Sequence, residues 1–62
     1  MIKFVRVYNI GSFKWYETCY KSGRIVSTTE EHLPKTVKAF VESHESKGYY
    51  DKIYNRCELI YE

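Results

Sequence analysis

The side chains with the most obvious chemical potential are two histidines, His32 and His44, and two cysteines, Cys19 and Cys57. The histidines stand twelve residues apart. On one helix that is roughly 18 Å at about 1.5 Å per residue, too far to share a metal ion or a proton. No Cys or His spacing matches a Cys-x-x-Cys or His-x3-5-His knuckle, so no metal site is predicted. Neither cysteine has a histidine placed to activate it as a nucleophile. The acidic pair Glu30-Glu31 has a structural use at a helix start. There is no glycine-rich phosphate loop. These residues point away from an enzyme and away from any cofactor. His44 reads as a packed, hydrogen-bonded member of an apolar stripe, and His32 as a surface residue near a helix end. The cysteines read as small hydrophobes rather than a disulfide.

The chain that would have to position any chemistry has 62 residues, and reads as a single domain over 1–62. Eleven are aromatic: seven Tyr, three Phe and one Trp. A few large side chains must therefore supply much of the core. Ten Lys and Arg against eight Asp and Glu give a net charge of +2. That argues against an acidic DNA mimic and permits, without demanding, nucleic-acid binding. No apolar run approaches a signal sequence or a membrane span, so the expectation is a cytoplasmic protein with no membrane partner.

Residues 2–9 are β-rich, and Asn9-Ile10-Gly11-Ser12 signals a turn. From Phe13 to Tyr20 the side chains alternate: Phe13, Trp15, Glu17 and Cys19 on one face, Lys14, Tyr16, Thr18 and Tyr20 on the other. Together these runs predict a β-hairpin. Lys21-Ser22-Gly23-Arg24 is a second turn, and residues 24–27 form a short third strand or an approach to the helix. Thr28 and Glu31 match a capping box, but Pro34 either makes the first turn irregular or starts the regular helix. Leu33, Val37, Phe40, Val41 and His44 make the amphipathic stripe, ended by Gly48. Tyr49 to Tyr61 returns to strand chemistry, with Tyr54 on one face and Ile53, Cys57 and Leu59 on the other.

The predicted fold is α+β: a small two-layer domain of order β-β-(β)-α-β, with one helix on a three- or four-stranded, largely antiparallel sheet. The last strand is expected beside the first, with the helix as a right-handed crossover. The buried face is assigned Val5, Val7, Phe13, Trp15, Leu33, Val37, Phe40, Val41 and Leu59. Tyr8, Tyr16, Tyr20 and Tyr54 are left to crowd the open face, where a contiguous patch marks a binding surface.

That face suggests two classes of partner. A protein partner suits Tyr- and Trp-rich composition, and the final strand offers an edge for strand addition. Single-stranded RNA or DNA is the alternative: bases stacking on tyrosines, with Arg6, Lys14, Lys21 and Arg24 as a basic rim. The expected contact residues are Tyr8, Lys14, Tyr16, Tyr20 and Arg24. A homodimer burying the aromatic face is a further option.

Val5-Arg6-Val7, Gly11-Ser12-Phe13-Lys14, a polar-aromatic strand ending Tyr20-Lys21, a lone amphipathic helix and a closing strand with Cys57-Glu58 form a pattern over most of the chain. It resembles the small accessory proteins of tailed phages, in particular the Dmd antitoxin family of T-even phages. The resemblance implies a non-enzymatic inhibitor in the host cytoplasm that occludes a host RNase toxin or another host defence or takeover target. In that family a Trp lies near the helix start; here that region is Glu31-His32-Leu33-Pro34 and the only Trp is Trp15. No toxin-contacting residue carries over.

Overall fold

The computed structural model describes residues 1–53 and 56–62. Its sheet contains β1 (Ile2–Ile10), β2 (Phe13–Tyr20), β3 (Ile25–Thr29), β4 (Tyr50–Ile53) and β5 (Cys57–Tyr61). A single 3-10 turn at Glu30–His32 leads from β3 towards the helix α1 (Lys35–Ser46). The fold is α+β, but the sheet has five strands rather than three or four, in the order β3-β2-β1-β5-β4, with every neighbouring pair antiparallel.

The hairpin turns on two residues. Ile10 pairs with Phe13 across Gly11 and Ser12, and Gly11 has φ +63°. A positive φ at the first turn position is what tight hairpins need and what glycine adopts without strain. This turn sets the register: Val7 faces Tyr16, Tyr8 faces Trp15 and Val5 faces Thr18.

The segment expected as one closing strand is two. Ile53 pairs with Cys57 and Tyr50 with Ile60, so β4 and β5 form a second hairpin. Tyr54, expected on the open face, lies outside the described residues. β5 pairs beside β1 as expected. The helix, however, links the two edge strands, β3 and β4, rather than leading into β5. The closing strand is therefore interior, and it offers no edge for strand addition.

The helix begins later than a capping box would place it. Thr28 lies in β3, and its hydroxyl donates to the Thr29 carbonyl at 3.4 Å. Pro34 is the N-cap, with extended φ/ψ of −59° and 147°, one position before regular helix begins. Its carbonyl accepts the Lys38 N–H at 3.0 Å, while its missing N–H falls where no helical partner exists. The stop is as expected. Gly48 has φ +78°; its N–H donates to Glu45 O, and Tyr49 N–H donates to His44 O, closing a Schellman motif.

The core lies between α1 and one sheet face. Val5, Val7, Tyr16, Val37, Val41 and Ile60 are buried, with Thr18 among them and Ile2, Leu33 and Phe40 packed at the margin. Small β-branched residues on the central strands let the short helix approach closely. Tyr16 is the one large side chain it covers, at 6% exposure. His44 is half-buried; its Nδ1 lies 2.8 Å from the Phe40 carbonyl and its ring stacks on Phe40 at 4.0 Å. His32 is exposed at the end of the 3-10 turn.

Candidate interaction surface

The helix covers one face of the sheet and leaves the other bare. Cross-strand partners share a face, so the registers give the bare face row by row. One row is Ile25, Cys19, Phe4 and Tyr61. The middle row is Ser27, Glu17, Arg6, Leu59 and Asp51. The next is Thr29, Trp15, Tyr8, Cys57 and Ile53. Phe13 and Ile10 close the hairpin end. Phe4, Tyr8, Trp15, Leu59 and Tyr61 are half-buried, and Phe13 is 49% exposed. The surface measures roughly 20 Å on each side. A patch of that extent on a small domain is commonly functional.

Its central charges are paired, and one further carboxylate, Asp51, stands exposed on the β4 edge. Arg6 Nη1 donates to Glu17 Oε1 at 3.0 Å, and the Tyr8 hydroxyl donates to the same oxygen at 3.5 Å. The Arg6 guanidinium also lies over the Phe4 ring, 5.4 Å from its centroid. Arg6 is the only Lys or Arg of the three rows, and it is already paired.

The expected contact residues do not gather on this face. Tyr8 is there, on the same face as Trp15 rather than on the other one. Tyr16 is in the core under the helix. Lys14 sits on the helix side, lining with Tyr16, Glu30 and Lys38 a recess of about 200 Å³. Tyr20 borders a groove on the helix side with Ile2 and Phe40. Arg24 is exposed in the turn before β3, its guanidinium 5.8 Å from the Tyr20 ring centroid. Phe13, Trp15 and Leu59, expected inside, belong to the bare face. The reason is a one-residue slip: pairing Tyr8 with Tyr16's side of the hairpin flips every β2 side chain relative to β1. The two-residue turn Gly11-Ser12 carried the signal, since it forces Ile10 against Phe13 and hence Tyr8 against Trp15.

Cys19 and Cys57 are free. They lie on opposite sides of β1, against Phe4 and Tyr8 respectively. Four residues along a strand is about 13 Å, well beyond disulfide reach. Burial pushes the Cys57 thiol above its ordinary range, with Arg6 opposing, which disfavours the thiolate.

At the rim of the helix side, carboxylates gather around Tyr16. Burial first, then Glu30, Glu45, Glu58 and Glu42, raises the Tyr16 hydroxyl above its usual range. Glu45 is likewise raised, first by burial and then by Glu58, with Lys14 opposing. Among the described residues, no three His, Cys, Asp or Glu side chains converge as a metal site requires. Nor is any helix among them long and apolar enough to cross a membrane.

No protein-family profile, curated protein or solved structure matches the chain.

Proposed function

We propose that this chain is a non-enzymatic binding protein that inhibits a host macromolecule by docking the bare sheet face onto it. The observation that supports this is the bare face itself, in which an aromatic and aliphatic patch surrounds one internally paired charge. The centre of such a face loses water without stranding a charge, because Arg6 and Glu17 carry each other into the contact while Asp51 stays at the exposed β4 rim. The partner it fits is an apolar protein patch bearing a central carbonyl or carboxylate, which would meet the guanidinium donors that Glu17 leaves free. By the resemblance to phage antitoxins, a host RNase toxin is the first such partner to try.

Single-stranded nucleic acid fits less well. Tyr8 and Trp15 would stack bases, but phosphates need unpaired cations, and the rows of the face offer only Arg6. The deciding experiment is affinity capture from host lysate with and without nuclease. The expected result is one stoichiometric protein recovered in both arms; heterogeneous, nuclease-sensitive recovery would transfer the reading to nucleic acid.

A further inference from the structure

The two sheet edges are unlike. β4 is four residues long and carries the adjacent charges Asp51 and Lys52. β3, Ile25–Thr29, is five residues of Ile, Val, Ser and Thr with no charge and no proline. Charges, prolines and short length are what keep sheet edges apart, and only β4 has them.

The ladder fixes which β3 groups face outwards. Tyr20 N–H donates to Arg24 O at 2.9 Å, so Tyr20 and Arg24 form a hydrogen-bonded pair. Alternation then makes Thr18 with Val26, and Tyr16 with Thr28, the next bonded pairs. The backbone N–H and C=O groups of Ile25, Ser27 and Thr29 therefore point away from β2. They are arranged symmetrically about Ser27.

We propose that β3 pairs antiparallel with β3 of a second copy of this chain, centred on Ser27. In that register Ser27 meets its own copy and Ile25 meets Thr29, using all the outward backbone groups. The same register brings Arg24, just before the strand, close to Glu30 of the second copy, the first residue of the 3-10 turn that follows the strand. Symmetry makes this contact twice. The register is selected by those charges. Slipping by two residues one way puts Arg24 against Thr28 and Glu30 against Ser22; the other way puts Arg24 against His32 and Glu30 against Val26. Both slips leave all four charges without a partner. The product is a continuous antiparallel sheet with the two bare faces side by side, because directly opposed residues lie on the same face. The edge is a different surface from the docking face, so the two readings fail separately.

Sedimentation equilibrium across a wide concentration range tests it. The wild-type chain is expected to show a monomer–dimer equilibrium. Arg24→Glu places like charges across both ends and should weaken the dimer at least about tenfold. The double variant Arg24→Glu/Glu30→Arg should restore it. Ser27→Pro removes an outward N–H without touching the β2 ladder, so it should abolish the dimer while the monomer still unfolds cooperatively. The charge swap stands on its own if the proline variant does not fold. A strict monomer at every concentration overturns the proposal. So does a dimer indifferent to both the charge reversal and the proline, or one lost on Trp15→Ser instead.

Discussion

Tyr8 stands directly opposite Trp15 across the β1–β2 pair, on the face that the helix does not cover. One residue along, Val7 stands opposite Tyr16 on the face that it does. The two tyrosines are opposite in consequence: one lies half-buried on the bare face, the other fills the core.

That difference is measurable as stability. Tyr16→Ala empties the largest core site and is expected to cost about 3–4 kcal/mol. A 62-residue domain has only about 3–9 kcal/mol in total, so the variant should lose at least about a third of its stability. Tyr8→Ala loses a cross-strand pair and should cost about 1 kcal/mol. Urea titrations followed by circular dichroism compare them; equal costs, or a larger cost at Tyr8, would contradict the face assignment.

The elements were legible in the sequence where a local signal was strong. The Gly11-Ser12 hairpin, the Val37–Val41 stripe and the Gly48 stop each have a cause within a few residues. Two features had no such cause, and a third was legible only through the length of a turn. The break between β4 and β5 is marked by no glycine or proline around residues 54–56, so alternation runs through it unbroken. Thr28 and Glu31 match a capping box, yet Thr28 is held in β3 by pairing with Tyr16, a tertiary effect. The composition of the bare face does not follow from alternation, because Val5 and Val7 look equally able to pack with Trp15 or with Tyr16. Only the register decides, and the register follows from the turn length.

Glu45 should leave a pH signature. Its carboxyl is raised above its ordinary value of 4.5, by burial first and by Glu58 second. The native state therefore holds more protons than the unfolded chain between the two values. Stability from this group is full below the unfolded value and is lost as pH rises through the native one. Glu45→Gln removes that loss. Its melting temperature should exceed that of the wild type near pH 7, and the difference should close as pH falls towards about 4. Glu45 is largely exposed, so screening keeps the effect small. A variant less stable than wild type at neutral pH would show that Glu45 instead makes a favourable ion pair with Lys14.

Salt dependence separates the two classes of partner. A binder neutralising four phosphates would show a slope of log K against log salt of about −3 to −4. The paired Arg6 predicts instead weak, shallow binding to single-stranded RNA and DNA and little quenching of Trp15 by oligonucleotide. Fluorescence titrations at several salt concentrations give the slope. Tight binding near physiological salt with the steep value would replace the protein reading with the nucleic-acid one.

The central claim is that the bare sheet face is the working surface. Isothermal titration of the captured host protein with three forms of the chain tests it most directly: wild type, Trp15→Ser and Lys38→Glu. Trp15 lies in the middle of the bare face, and Lys38 lies beside the recess on the helix side. Loss of a central aromatic anchor typically costs about 2 kcal/mol or more, roughly thirtyfold in affinity. That loss is expected for Trp15→Ser, and affinity within about threefold of wild type for Lys38→Glu, with all three forms folded. Unchanged binding by Trp15→Ser together with loss in Lys38→Glu would contradict it and move the working surface to the helix side.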